Sequence, residues 1–345
     1  MSCLWFEAKG CIAGQNFDSA LFLSGGAVKI FGGKSSSTGG TTGISLEESG
    51  VGLVHLTGMQ DKPVLVGCEF FEGEAIDCEE RLQEEVKRRG WVRSRGVGVI
   101  GFGSYGLFQI APPAVPDAEL RDAVRWQVKD LIDYPLDEAI VDVFRVGVDN
   151  RREGAKNAYV VAARESVVQK QAGLMRHARL KIDAIDIPEL SLRNIAARLP
   201  EDARGVSLLY LGDDQGVIIV CRGGRLQLAR DIPFGTSSLS GEAASLEAGG
   251  FDETQERLSL LALDIQRSLD FYESSFRQTP VAALYLLPTA TPLPELLPAL
   301  QARLGTPVKS FVLGEIISGE GQDLETAERC LLAVGAALRN DREGL

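Results

Sequence analysis

Apolar residues recur along this chain in two periods, and the switches between them mark the elements. Short apolar, often β-branched runs bounded by turn residues predict strands at Val51–Leu56, Val64–Phe70, Val97–Phe102 and Tyr105–Ile110. A charged helix, Glu79–Arg89, falls between the second and third of these and is ended by Gly90. Pro112, Pro113 and Pro116 then break the pattern. Asp117 can cap a helix reaching Ile132, because Ala118, Leu120, Val124, Val128 and Leu131 recur at helical spacing. Ile140–Val148 alternates as a strand, Arg151–Lys156 is a polar turn, and Ala158–Ala163 reads as a buried strand. A helix over Glu165–Arg179, a strand over Ile182–Ile187 and a helix over Pro188–Leu199 follow, the last with proline in its first turn.

The second half repeats the theme. Val206–Leu211, Gly216–Cys221 and Arg225–Ile232 are three strands, the last two joined across Gly223-Gly224 as a hairpin. After a loose Ala/Gly segment, Leu246–Gly250, comes a long helix in which Leu258, Leu261, Ile265, Leu269, Tyr272 and Phe276 form one apolar stripe, read as core between two lobes. Strand Val281–Leu287, helix Pro294–Leu304, strand Pro307–Phe311 and helix Leu324–Arg339 close the chain. Three strands, helix, strand, helix, stated twice, is the outline of an α/β fold of the actin-like (ribonuclease H-like) kind, with a cleft between two lobes. Upstream, Gly32–Gly43 (GGKSSSTGGTTG) has a flexible-linker composition, and ordered structure is expected from about Ile44.

Length and composition narrow the function. A chain of 345 residues suggests two or three lobes, and 45% hydrophobic with 24% charged residues is ordinary for a globular protein. Lys plus Arg number 36 against 48 Asp plus Glu, a net charge of −12, which argues against a general nucleic-acid binder. No apolar run approaches the ~18 residues of a spanning helix; the most apolar stretch, Leu284–Leu300, holds four prolines and a glutamate. The N-terminus does not resemble a secretion signal, so a cytosolic protein is expected. Cys3, Cys11, Cys68, Cys78, Cys221 and Cys330 form no Cys-x-x-Cys pair, and with only His55 and His177 to join them no metal site has ligand spacing. Buried reduced thiols are the expectation.

Local motifs add little chemistry. GFGSYG (Gly101–Gly106) precedes a strand, where a phosphate loop would open a helix, so it reads as a hairpin turn. Ser104 has no histidine in local reach to activate it. His177 lies between Arg176 and Arg179 on a basic, solvated face; with Lys181 this patch could touch lipid headgroups or an acidic partner. In DAIDIPELSLRNI (Asp183–Ile195), Asp183 and Asp186 stand three apart in a strand and so point to opposite faces, which rules out a carboxylate pair.

Three segments carry a family likeness: ELRDAVRWQVKDLIDYPLDEAIVDVFRV (Glu119–Val146), AGLMRHARLKIDAIDIPELSLRNIA (Ala172–Ala196) and LALDIQRSLDFYESSF (Leu261–Phe276). Together they resemble the MshI/PilM family of type IV pilus biogenesis proteins, relatives of the cell-division protein FtsA and of the GspL cytoplasmic domain. The wording IDIPELSLRN is most similar to MshI, the member serving MSHA-type pili. The resemblance leaves the N-terminal arm over 1–43, read from composition, unmatched; it implies a first actin-like lobe over 44–111 and 158–204, a small α+β subdomain inserted into that lobe over 112–157, and a second lobe over 205–345.

The family's cleft binds nucleotide through two aspartate-led hairpin turns and a glycine-rich adenosine loop. By that resemblance Ser45 stands at the first aspartate, Glu47 at the first glycine and Gly52 at the lysine, while Ser49 keeps a hydroxyl. In the second turn Tyr210 replaces the aspartate and Gly212 is retained; Asp213 and Asp214 read either as displaced metal ligands or as turn formers. The adenosine loop becomes PTATP, without glycine. Asp264 and Arg267, on the long helix beside the family's adenosine, complete the candidate set. Like charges at Glu47 and Glu48 oppose phosphate where water is excluded. All three loops depart in the same direction, so a fold kept without its hydrolase is expected, and no cofactor is assigned; ATP with magnesium is the alternative.

The resemblance also implies a partner. Members receive the short N-terminal cytoplasmic tail of a bitopic inner-membrane protein, here one similar to MshJ or PilN, in a groove beside the inserted subdomain. Trp126, Arg125, Val141 and Val143 are the candidate contacts, with Trp126 either a groove anchor or subdomain core. The expected role is a scaffold at the inner face of the bacterial inner membrane, with no span of its own, no nucleic-acid partner and homodimerisation left open. The rival readings are an ATPase whose closure reaches the same partner, and a filament former like actin.

Overall fold

A computed structural model describes residues 40–59, 62–146, 157–240, 250–319 and 321–339. The polar turn read at Arg151–Lys156 and the loose segment ahead of Gly250 lie outside the described residues, as do Cys3 and Cys11.

Strands β1 (Thr41–Glu47), β2 (Gly50–Met59) and β3 (Lys62–Glu72) form an antiparallel meander. Helix α1 (Ala75–Arg88) crosses to β4 (Arg95–Val99), which pairs parallel with β1. A three-stranded antiparallel sheet with its own helix interrupts this lobe: β5 (Tyr105–Ile110), α2 (Asp117–Val128), β6 (Ala139–Val146) and β7 (Asn157–Arg164), ordered β5-β7-β6. Helix α3 (Glu165–His177) returns to β8 (Lys181–Asp186), parallel to β4, so the first sheet is ordered β3-β2-β1-β4-β8.

Helix α4 (Pro188–Ala196) leads to the second meander, β9 (Val206–Leu211), β10 (Gly216–Arg222) and β11 (Arg225–Ile232). The short α5 (Thr236–Leu239) and long α6 (Gly250–Phe276) precede β12 (Ala283–Leu286), α7 (Leu296–Arg303) and β13 (Val308–Ser310), giving the order β11-β10-β9-β12-β13. Helices α8 (Leu324–Arg329) and α9 (Leu331–Ala337) end the described chain. Each five-stranded sheet therefore has three antiparallel strands and then two parallel ones, with its first strand central. This is the actin-like fold, stated once per lobe.

Three expectations are corrected. The first strand begins at Thr41, inside the supposed linker: Thr42 and Gly43 are buried because α9 lies on β1, and a Cβ on Gly43 would meet the Ala333 carbonyl. The α6 stripe is not core between the lobes. Leu258, Leu261, Ile265, Leu269 and Tyr272 pack with Leu209, Leu211, Ile218 and Val220 on the outer face of the second sheet. Its inner face, carrying Leu208, Val217 and Ile219, joins the core shared with the first lobe, where α4 and α9 lie. The last helix is two helices, broken at Cys330 (φ −95°, ψ 30°), whose thiol donates to the Glu69 carbonyl at 3.4 Å.

Cys68, Cys78, Cys221 and Cys330 are free and buried, as expected. Asp183 and Asp186 serve different arginines: Arg95 lies 2.7 Å from Asp183, and Arg339 lies 2.5 Å from Asp186 in the interior.

Candidate functional site

Because β1 and β9 are the central strands of equivalent sheets, their hairpin turns are brought to the same cleft. A cavity of about 330 Å³ lies between them. The β1–β2 turn contributes Glu47, Glu48 and Ser49; the β9–β10 turn contributes Gly212, Asp213 and Gln215, with Tyr210 beside it. The other walls are Phe102 of the β4–β5 loop, Val167 and Lys170 of α3, Pro288 and Ala290 after β12, and Glu328 and Arg329 at the end of α8.

Of the candidates from sequence, Glu47, Ser49, Gly212 and Asp213 meet here. Ser45 is fully buried beneath the turn and donates to Glu47 Oε1 at 2.7 Å. Asp264 and Arg267 are not in the cavity lining: both sit on α6, on the outer side of the second sheet, 3.7 Å from each other. Their candidacy rests on the resemblance, in which the long helix lies beside the adenosine.

The cleft is acidic and partly desolvated. Burial raises the Glu47 carboxyl to about 7 against the lowering effects of the Ser45 hydroxyl and Arg329, and Asp213 adds to the rise. Burial also raises Glu48, helped by Asp214 and Asp213. Tyr210 is pushed well above the usual phenol range, first by burial and then by Glu47. Its hydroxyl donates to Glu47 Oε2 at 3.5 Å, and its ring stacks on Phe102 with centroids 5.5 Å apart. Arg329 is engaged by Glu72 at 3.2 Å and by the Phe70 ring at 4.1 Å.

Asp213 is occupied by its own turn. Its carbonyl accepts from Ser237 N at 2.9 Å, its Oδ1 from Thr236 Oγ1 at 3.5 Å, and Gly212 N donates to Gln215 O at 2.9 Å. Among the described residues no group of three or more His, Cys, Asp or Glu side chains is arranged to hold a metal ion. The lining holds four carboxylates, Glu47, Glu48, Asp213 and Glu328, against Lys170 and Arg329, and Pro288 and Ala290 stand in its wall on a loop without a glycine. These residues do not fit a triphosphate with magnesium. Sequence reading missed Phe102, Lys170 and Arg329, which reach the cleft only through tertiary packing.

The inserted sheet has two unlike faces. One packs under α2: Val141 and Val143 are buried with Leu120, Val124 and Val128, so neither is presented to a partner. Period-2 alternation in β6 marked these two as one face but not as the inward one. Arg125 is half-buried and donates to the carbonyls of Leu136 at 2.8 Å and Ala139 at 3.4 Å. Trp126, by contrast, is 72% exposed, which removes the core alternative. The other face of the sheet meets both lobes. Tyr159 Oη accepts from Ala229 N at 3.0 Å and donates to Ala229 O at 3.3 Å, and Tyr105 donates to Glu189 at 2.6 Å.

Residues 109–257 match the family model described as type IV pilus assembly protein PilM. No curated protein sequence matches the chain. Among solved structures, a chain of the PilM–PilN type IV pilus biogenesis complex is 21% identical with a TM-score of 0.68, covering 87% of this chain and 98% of that one. The cytoplasmic domain of EpsL from Vibrio cholerae, an inner membrane component of the type II secretion system, is 13% identical (TM-score 0.46; 87% and 95% covered). The ethanolamine utilization protein EutJ from Carboxydothermus hydrogenoformans is 12% identical (TM-score 0.48; 87% and 89%). The first likeness bears on fold, and the family match on the segment from the inserted subdomain into α6. Residues 109–257 are thus similar to the type IV pilus assembly protein PilM and lie within an actin-like fold.

Proposed function

We propose that this chain is a scaffold of a type IV pilus assembly platform, which receives the short N-terminal cytoplasmic tail of an inner-membrane protein similar to PilN. The observation that carries this reading is the overlap of the family match with the inserted subdomain, where Trp126 stands exposed on α2 beside a half-buried Arg125. An exposed tryptophan next to an arginine is the composition of an interface anchor rather than of a solvated helix face. Among the described residues strand β5 has one unpaired edge and mostly half-buried side chains, so an extended tail there gains main-chain hydrogen bonds and apolar contacts. Recruitment by such a tail places the protein at the inner face of the bacterial inner membrane; among the described residues no helix is long and apolar enough to cross one. The wording IDIPELSLRN favours an MSHA-type system with an MshJ-like partner.

The cleft, on this reading, is a remnant that no longer hydrolyses ATP. Its acidic lining and the Tyr210–Glu47 contact support this. Calorimetry with peptides copied from the N-terminal tails of pilus inner-membrane proteins tests the proposal. Binding that Trp126→Ala weakens by about tenfold or more is expected of an anchor. Absence of binding to any such tail, or indifference to Trp126→Ala, overturns it.

A further inference from the structure

A chain with net charge −12 carries a basic face at one end of its first lobe. The C-terminal halves of α1 and α3 lie side by side, tied by Gln83 Nε2 donating to the His177 carbonyl at 2.9 Å. The loops leaving these helices are joined as well: Arg93 N donates to Arg179 O, and Lys181 N to Ser94 O, each at 2.9 Å. Lys87, Arg93, Arg176, Arg179 and Lys181 are all exposed on this one end, and none has a carboxylate within ion-pair distance among the described residues. The nearby Arg88 and Arg89, by contrast, are held by Glu85. Val92 is exposed among them.

Two of these cations stand where the backbone disfavours them. Arg93 (φ 65°) and Arg179 (φ 58°) occupy the left-handed region, in which glycine or asparagine is more stable. Arginine at both turning points keeps charge at a cost in backbone conformation. The face lies at the start of the parallel strands β4 and β8, opposite the cleft, which lies at their ends.

We infer that this end docks directly on an anionic phospholipid surface. A bilayer rich in acidic headgroups presents dense, diffuse negative charge. It therefore suits cations that have no ion pair among the described residues and are spread over two helix ends and the loops after them without a shaped anion pocket, and it places the exposed Val92 at headgroup depth. Against the repulsion of the remaining acidic surface, contact is confined to this end, which fixes the orientation of the molecule. The inference stands on charge and geometry alone and needs no partner tail.

Co-sedimentation of the full chain with vesicles tests it. Binding is expected to phosphatidylcholine vesicles containing phosphatidylglycerol, not to phosphatidylcholine alone, and to weaken as salt rises. Each cation removed costs about fivefold in affinity, so Lys87→Gln with Arg176→Gln and Lys181→Gln loses on the order of a hundredfold. Arg93→Gly with Arg179→Gly should raise the melting temperature while losing about 25-fold in vesicle affinity, a pairing that misfolding cannot mimic. Arg267→Gln, on the exposed side of α6, should leave binding unchanged. Equal binding to neutral vesicles, no binding to anionic ones, or anionic binding untouched by both variant sets overturns the inference. So does capture of polyglutamate without vesicle binding, which would make the face a site for an acidic protein.

Discussion

The hydroxyl of Tyr210 on β9 lies 3.5 Å from Oε2 of Glu47 on β1, so a side-chain contact joins the lobes across the cleft. In a nucleotide-holding cleft the same space belongs to phosphate and its metal. Adding magnesium ATP should therefore leave the unfolding temperature unmoved. A ligand at a hundred times its dissociation constant adds about 2.7 kcal/mol, which no melting curve would miss. A rise of several degrees would instead establish nucleotide binding and reverse the reading of the cleft.

Glu189 gives a pH prediction with a definite sign. It is 2% exposed, and burial raises it from 4.5 to about 7 although Tyr105 donates to it. The folded protein thus holds a proton that the unfolded chain has released between those values. Stability should fall as pH rises from about 4.5 to about 7 and flatten above. The full window is worth on the order of 3 kcal/mol. Glu189→Gln keeps an acceptor for Tyr105 and removes the penalty, so it should flatten this slope and raise stability above pH 7. Glu47, also raised, leaves a residual slope in that variant. Urea titrations across the range check both.

Much of this architecture could be read from alternation alone, because hairpin strands half-buried in a sheet write their faces into the sequence. What escaped is instructive. The composition of Gly40–Gly43 reads as a linker, but Gly43 is small because α9 presses on β1. The α6 stripe announced a buried face without saying which side of the second sheet it covers. Glu47, Ser49, Gly212 and Asp213 converge because hairpin turns of equivalent sheets must. Lys170 and Arg329 come from helices whose docking no local pattern encodes.

In the inserted subdomain a buried valine and an exposed tryptophan should differ sharply in their cost to stability. Val143 is 1% exposed beneath α2, and Val143→Ala should cost about 2 kcal/mol through lost contacts and a cavity. Trp126→Ala, removing an exposed ring, should stay within about 0.5 kcal/mol. Thermal melts of the two variants would show a shift in the first only. A large loss from Trp126→Ala would return that side chain to the core.

Helix α9 packs on α4 closely enough that Gly335 has no room for a side chain. A Cβ there would meet the Ser191 carbonyl, while Ser191 Oγ donates to Leu332 O at 2.5 Å and Asn194 Nδ2 to Gly335 O at 2.8 Å. Gly335→Ala gains about 1 kcal/mol of helix propensity. Overpacking against a backbone that cannot step aside costs about 3 kcal/mol, so the variant should be net destabilised. An unchanged denaturation midpoint would mean the helices separate more freely than this contact implies.

The pair Asp186–Arg339 fixes the end of the last helix to β8. Its atoms are 2.5 Å apart, and the two side chains are 0% and 4% exposed. Such a pair is a poor source of net stability, since desolvating both charges offsets their attraction, but it is costly to break on one side. Arg339→Met should lose about 3–5 kcal/mol, because Asp186 is left in the interior without its partner, with Oδ1 already unpartnered among the described residues. The double variant Arg339→Met with Asp186→Leu should recover most of that loss, as the unpartnered carboxyl goes too. If the double variant is as unstable as the single, the arginine acts through its packing and its carbonyl's bond from Arg95 rather than through its charge. Urea denaturation of the three proteins separates these outcomes.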